Sequence, residues 1–231
     1  MADLDWQLSI THLKFWGHAF FSLAQNGETL AIDPYLAEGS IPSSFCPTLI
    51  CVTHGHGDHL GEAIPLSQRS AAPILAVSEL ARYCKAQGAD VRPAQPGGRI
   101  AFPFGWVELV PAIHGSSGPQ GEYLGVATGL LIEWFGRVFY HAGDTALFSD
   151  MAQFKRKGPI FAAMLPIGGL YTMGPEDALA AVKLLEPEIV IPMHFGTFAA
   201  IAQDVHAFQQ LVEKETNSRC LVFEHGQENT I

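Results

Sequence analysis

Thr53-His54-Gly55-His56-Gly57-Asp58-His59 is the stretch on which the reading of this chain turns. Three imidazoles and one carboxylate fall between residues 54 and 59. The apolar run before them, Thr48-Leu49-Ile50-Cys51-Val52, predicts a buried strand. After them Leu60-Gly61-Glu62-Ala63-Ile64 opens a helix. The histidines therefore stand on a loop at a strand end. Gly55 and Gly57 are expected to supply its sharp turns, since a residue without Cβ adopts conformations that others resist. Imidazole is the commonest ligand for zinc-like metals, and a carboxylate completes such sets.

Outward from this loop, short apolar segments end in further potential ligands. Upstream, residues 8–24 alternate as short strands, broken by Trp16-Gly17-His18-Ala19-Phe20. Asn26-Gly27 signals a hairpin, and Thr29–Ile32 returns as a strand that stops at Asp33-Pro34. Downstream, strands are expected at 74–77, 100–102, 106–112, 130–134, 138–140, 160–165 and 189–193, with a closing one at 219–223. A helix is expected over 79–87, capped by Ser78 and stopped by Gly88. Pro175 suits the first position of another, whose apolar face is Ala178, Val182 and Leu185. Ile201, Val205, Phe208 and Val212 mark a last amphipathic helix. With no repeat and no linker, residues 1–231 read as one domain.

The strand near 106–112 leads to His114, that near 138–140 to His141 and Asp144, and that near 189–193 to His194. With the 54–59 loop, His114, Asp144 and His194 give five imidazoles and two carboxylates at strand ends, where loops build sites on a rigid frame. One tetrahedral ion takes about four protein ligands. Seven suit two ions.

Composition narrows the partners. Of 231 residues 48% are hydrophobic, enough for a large core, yet no apolar run approaches the length of a membrane helix. The acidic opening Met1-Ala2-Asp3-Leu4-Asp5 has no apolar core of a signal peptide, which predicts a cytoplasmic protein. The net charge of -10 disfavours long nucleic acid, while a small substrate, anionic ones included, stays open. Lys155-Arg156-Lys157 reads as a solvated helix end, and Cys46, Cys51, Cys84 and Cys220 as buried free thiols. Phe102, Phe104 and Trp106 are candidates for an exposed patch or for core, and a homo-oligomer stays open with them.

The loop at 54–59 resembles the His-x-His-x-Asp-His signature of the metallo-β-lactamase superfamily. Gly17-His18-Ala19-x-Phe, His141-Ala142-Gly143-Asp144-Thr145, Thr172-Met173-Gly174-Pro175-Glu176-Asp177 and Met193-His194-Phe195-Gly196-Thr197 resemble its bacterial and archaeal metal-dependent hydrolases, a family similar to the L-ascorbate phosphate lactonases. The resemblance implies an α+β fold, a four-layer αβ/βα sandwich of two mixed β-sheets flanked by helices. It implies two divalent ions: zinc first, with manganese or iron as alternatives. His54, His56 and His114 would hold the first, Asp58, His59 and His194 the second, and Asp144 would bridge them.

Two ions sharing a water generate hydroxide near neutrality, to attack a small ester, lactone or phosphodiester. Asp58 would also orient that nucleophile as a catalytic residue. His18 and His141 are candidates for substrate-facing catalytic roles, each with a packed, backbone-bonded alternative. Asp33 is a candidate to orient a ligand histidine through its free nitrogen. Tyr171 and Thr172, before a helix N-terminus, are candidates to close the pocket. His12, His206 and His225 are expected to play no part. Competing functions are a nuclease or cyclic-nucleotide phosphodiesterase, and a metal-binding sensor without turnover.

Overall fold

Apolar alternation in the first half of the chain builds one sheet, and longer apolar runs build a second against it. The computed structural model describes residues 10–231, so Leu8 and the acidic opening Met1–Asp5 lie outside the described residues. In chain order the elements are β1 (His12–Gly17), β2 (Phe20–Gln25), β3 (Glu28–Ile32), β4 (Leu49–Cys51), α1 (Gly57–Leu60), α2 (Ala63–Ser70), β5 (Ile74–Val77), α3 (Ser78–Ala86) and β6 (Val91–Ala94). There follow β7 (Arg99–Phe102), β8 (Gly105–Pro111), β9 (Thr128–Trp134), β10 (Arg137–His141), a 3-10 helix (Ser149–Lys157) and β11 (Ile160–Pro166). The last are α4 (Pro175–Leu185), β12 (Ile189–Met193), a 3-10 turn (Ala199–Ile201), α5 (Val205–Glu215), β13 (Arg219–Cys220) and β14 (Glu228–Thr230).

One sheet runs β14-β1-β2-β3-β4-β5-β6 and the other β13-β12-β11-β10-β9-β8-β7. Both mix parallel and antiparallel pairs. In the central strands the apolar residues divide by the period of two. Leu30, Ile32, Leu49, Cys51 and Leu75 enter the core between the sheets. Ala31, Ile50, Val52, Ile74 and Ala76 face the outer layer with Leu66 of α2 and Leu80 of α3. A strand apolar on both faces is one covered on both faces. On the far side α4 and α5 pack Ala178, Val182, Phe208 and Val212 into the inter-sheet core cluster. This is the four-layer αβ/βα sandwich that the resemblance implies.

Topology gives the site its place. β3 pairs in parallel with β4, and β4 with β5; β1 is antiparallel to β2, and β2 to β3. The C-terminal ends of β1, β3, β4 and β5 thus share one edge. By the same reasoning β8, β10, β11 and β12 end on one edge of the second sheet. The edges are joined where His194 N donates to His18 O at 2.8 Å and Thr128 N to Thr53 O at 3.0 Å.

Several local expectations are corrected. Ser78 is the first residue of α3 rather than its cap, and its hydroxyl donates to Ala94 O at 3.1 Å. Gly61 separates the short α1 from α2. α5 starts at Val205, with the Asp204 side chain accepting from Ala207 N at 2.9 Å, while Ile201 belongs to the preceding 3-10 turn. The closing strand shortens to Arg219–Cys220. β6 and β14 were not expected, since Val91-Arg92-Pro93-Ala94 and Glu228-Asn229-Thr230 have edge-strand composition. Cys46 is exposed, the other three cysteines buried. Phe104 is core, and Trp106 is half-buried beneath the Arg99 guanidinium, 3.7 Å from the ring centroid. The basic run ends the 3-10 helix as expected, but Lys155 and Lys157 pair with Glu186 and Glu108. Among the described residues no helix is long and apolar enough to cross a membrane.

Candidate metal centre

His18, Asp33 and His194 directly follow β1, β3 and β12, and all three adopt left-handed backbone, with φ of 55°, 50° and 54°. Non-glycine residues rarely do so, and such strain clusters at functional sites. Gly55 and Gly57 do not have positive φ, which corrects the expected reason for them. Gly55 is required by close approach: a Cβ there would lie 2.8 Å from Leu124 Cδ1 and 3.2 Å from Ser117 O. Its N–H donates to Ser116 Oγ at 3.1 Å, which seats the loop after β8 on the histidine loop.

The chain brings its potential ligands together in three groups. His54, His56 and His114 offer ligand atoms within 4.8 Å of one another, as do His18, Asp58, His59 and His194, and likewise His54, His59 and Asp144. His54 Nε2 lies 3.0 Å from His56 Nδ1. Asp144 stands between the groups: Oδ1 is 3.2 Å from His59 Nε2, and Oδ2 is 3.1 Å from His194 Nε2 and 3.5 Å from His114 Nε2. Asp58 Oδ2 lies 3.7 Å from His194 Nε2. His54, His59, Asp144 and His194 are buried, whereas the Asp58 side chain is 30% exposed, which marks the open side.

One carboxylate orients two of these histidines. Asp33, fully buried, accepts from Thr53 N at 2.8 Å, from Thr53 Oγ1 at 2.7 Å and from His59 Nδ1 at 2.7 Å. With its hydrogen given to Asp33, the Thr53 hydroxyl accepts from His54 Nδ1 at 3.1 Å. Both rings therefore carry an Nδ1 hydrogen and turn Nε2 into the cluster, the arrangement outer partners impose on metal-ligating histidines. The sequence offered Asp33 for this role. Thr53 and Thr197 were passed over, although each lies beside a quoted histidine or within a quoted motif.

Electrostatics follow from burial and these contacts. Burial holds His54 well below the ordinary histidine value, with His59 adding to it. Burial also lowers His18 and His114. Burial opposes charge on His59 and His194, but carboxylates win: Asp144 and Asp33 raise His59 well above its ordinary value, and Asp144 and Asp58 raise His194. Asp144 and Asp58 resist the upward pull of burial and fall below the carboxylate range, Asp144 through His59 and Asp58 through the hydrogen bond from His18, with His194 at 3.7 Å adding to it.

The donor set fits metal ions. His59 Nε2, Asp144 Oδ1 and both His194 ring nitrogens are buried without a hydrogen-bond partner. Each such atom costs about 1–3 kcal/mol of desolvation. His59 Nε2 and Asp144 Oδ1 face each other, and His194 Nε2 faces the other Asp144 oxygen, across gaps which shared cations would fill.

The remaining candidates separate. His18 Nε2 lies 3.1 Å from Asp58 Oδ2 and Nδ1 2.9 Å from Thr197 Oγ1, so His18 stands within the second group. His141 does not face the site: it is fully buried, Nε2 donates to Ala19 O at 2.9 Å, and Nδ1 accepts from Gly143 N at 3.2 Å. The structure thus corrects a substrate-facing His141 to its packed, backbone-bonded alternative. Tyr171 is exposed, and the Thr172 hydroxyl bonds Met173 O at 3.3 Å. His12 pairs with Glu228 at 3.0 Å, His206 contacts Gln209, and His225 packs edge-on against Phe15.

Comparison with known proteins agrees with this geometry. Residues 12–194 match the β-lactamase superfamily domain. A UPF0173 metal-dependent hydrolase of Desulfitobacterium hafniense is 45% identical over 215 residues, covering 88% of this chain and 91% of that one. Another, of Desulforamulus reducens, is 44% identical over 225 residues, covering 93% and 97%. The solved structure of Igni18, a metallo hydrolase of Ignicoccus hospitalis, superposes with a TM-score of 0.89 at 34% identity over 96% of this chain and 98% of that one.

Proposed function

The chain belongs to the metallo-β-lactamase superfamily, among its metal-dependent hydrolases, and on that premise we propose that it cleaves a small ester, lactone or phosphodiester at a centre of two divalent ions. The observation that carries this reading is the set of buried, unpartnered ligand atoms, His59 Nε2, Asp144 Oδ1 and His194 Nε2, gathered at the two oxygens of the Asp144 carboxylate. His54, His56 and His114 would hold one ion, Asp58, His59 and His194 the other, and Asp144 both. Zinc suits the imidazoles, and manganese or iron are compatible with the same donors. Ions held there would supply a lowered pKa for bound water and polarisation of the scissile group's oxygen.

The protein's own groups supply the rest. Asp58 is the more exposed of the two cluster carboxylates, and its second oxygen is available to orient an entering water. His18, held by Thr197, donates Nε2–H to Asp58 and fixes that carboxylate. Asp33 and Thr53 hold the ligand tautomers. His141 positions the loop that carries Asp144 through its bonds to Ala19 and Gly143. Residues 1–231 form one catalytic domain in this reading, and β14 ties the end of the chain to β1. Four free thiols favour a reducing compartment, the cytoplasm.

The test is metal content together with hydrolysis of an activated phosphodiester and of a lactone, using zinc- and manganese-loaded protein. The expected result is about two ions per chain and turnover of at least one substrate, both diminished in His56→Ala. Two bound ions with no hydrolysis of either would overturn the hydrolytic reading in favour of a metal-binding protein without turnover.

A further inference from the structure

Among the described residues, the exposed large apolar side chains are concentrated on one side of the molecule. Ile113, Tyr123, Val126, Leu170, Tyr171 and Phe198 all stand on loops at the edge that carries the metal ligands; Ile10 alone lies elsewhere, before β1. The loops that carry them follow separate strand ends. The Phe198 ring lies 5.7 Å from that of His18. Ile113 precedes His114, and its N–H donates to Thr145 Oγ1 at 3.0 Å, beside Asp144. Leu170 lies in a turn fixed by Met173 N donating to Thr145 O at 3.0 Å. Tyr123 bridges to Ser117 in the loop seated on Gly55.

Folding does not account for Leu170. It is 74% exposed and left-handed, with φ of 49°. A turn of that shape in water favours glycine or asparagine. A leucine there gains nothing from the core, so its apolar surface has another use.

Charge points the same way. Segments 33–47, 53–62, 112–127, 142–148, 167–174 and 194–204, which carry the candidate ligands and most of the exposed apolar side chains, contain no lysine or arginine, and Arg82, in the helix that follows β5 from the same edge, lies 3.9 Å from Glu79. They carry acids, among them Glu38, Glu62 and Glu122 besides the cluster carboxylates. Recognition of a phosphate or carboxylate away from the metal ions relies mainly on arginine and lysine. The N-terminus of α4 offers no substitute, since Glu176 and Asp177 already occupy its first turn.

We propose that the site takes an uncharged substrate whose non-reacting part is an alkyl or aryl group, and that Leu170 and Phe198 determine specificity by covering that group. The choice among ester, lactone and phosphodiester rests on the hydrolytic reading above and falls on the neutral carboxylic ester or lactone. A phosphate or carboxylate elsewhere on the substrate would meet no lysine or arginine of these segments.

The test uses zinc-loaded protein and p-nitrophenyl acetate, butyrate and hexanoate, beside the hexanoate ester bearing a terminal sulfonate. Each buried methylene is worth about fourfold. With about two of the four added methylenes covered, kcat/KM rises at least tenfold from acetate to hexanoate. The sulfonated ester falls at least tenfold below hexanoate. Leu170→Ser with Phe198→Ser, both at exposed positions, flattens the series to within about threefold, and Leu170→Lys raises the sulfonated ester relative to the neutral one. A flat series in the unaltered protein, or preference for the sulfonate, would overturn the proposal.

Calorimetric binding of butyrophenone and of its terminal sulfonate separates this proposal from the hydrolytic reading. Neutral ketone bound at least tenfold more tightly, with the advantage lost in the double variant, upholds the substrate class even where no ester is cleaved. That combination counts against hydrolysis alone. No binding of butyrophenone, or sulfonate bound as tightly, overturns the class itself.

Discussion

Replacing Asp33 by asparagine should disable the metal centre without touching a ligand. Asparagine tolerates left-handed backbone, so the φ of 50° at this position adds no strain. The side chain keeps its shape but exchanges one acceptor oxygen for an NH2 donor. If the remaining oxygen stays with Thr53 N, the NH2 faces the Thr53 hydroxyl and His59 Nδ1, both of which donate to Asp33 in the native protein. Thr53 then turns its hydrogen to His54 Nδ1, and His59 gives up its own Nδ1 hydrogen. Both histidines move their hydrogen to Nε2, the atom turned to the cluster. If the amide flips instead, its NH2 meets the Thr53 N–H, a buried donor against a donor that costs about 1–3 kcal/mol. Loss of an outer partner lowers metal affinity about 10–100-fold. Because two rings are affected together, the upper figure applies: about 100-fold, or about 2.8 kcal/mol. Competition with a chelator measures the affinity, circular dichroism checks folding, and nitrogen NMR reads the His54 and His59 tautomers. Folded Asp33→Asn protein that binds zinc within about threefold of the unaltered chain, with His59 still protonated at Nδ1, would refute the tautomer argument.

Three further outcomes follow from the same geometry. His59 is raised well above its ordinary value by Asp144 and Asp33, and His194 is raised by Asp144 and Asp58, so a metal-free centre keeps protons to higher pH than free imidazoles do; metal uptake should therefore release protons and weaken as pH falls, and calorimetry in two buffers of different protonation enthalpy would refute this by finding no net release. Gly55→Ala sets a Cβ 2.8 Å from Leu124 Cδ1 and should destabilise by about 1–3 kcal/mol in urea unfolding, a loss under about 0.5 kcal/mol meaning that the two loops are not seated on each other. Thiol titration of the native protein should count Cys46 alone, and all four cysteines only after unfolding, since Cys51, Cys84 and Cys220 are buried and burial pushes the Cys84 and Cys220 thiols up to about 12.

Much of the sandwich was legible because central strands are covered on both faces. Leu49-Ile50-Cys51 and Ile74-Leu75-Ala76-Val77 are uninterrupted apolar runs, and such runs stand out in one dimension. β6 and β14 were illegible for the opposite reason. They lie at sheet edges, and their sequences answer to solvent rather than core. The candidate ligands stood out because each follows a readable strand. What joins them did not: the Gly55 requirement comes from Leu124 and Ser117, more than sixty residues away, and His141 turns inward to Ala19 across the sheet interface. Long-range approach leaves no local pattern.

The left-handed residues show why the site needs this frame. His18, Asp33 and His194 each give up about 1 kcal/mol or more relative to glycine at the same φ. Glycine would relieve the strain and remove the functional side chain with it. Each residue ends a strand held by a ladder on at least one side, so the turn falls at a point the sheets already fix. The bond from His194 N to His18 O then locks the end of β12 to the end of β1, one strand from each sheet. Burial between the sheets thus offsets strain at their shared edge. That exchange places a histidine from each sheet beside Asp58, with His18 and His194 ring centroids 4.0 Å apart.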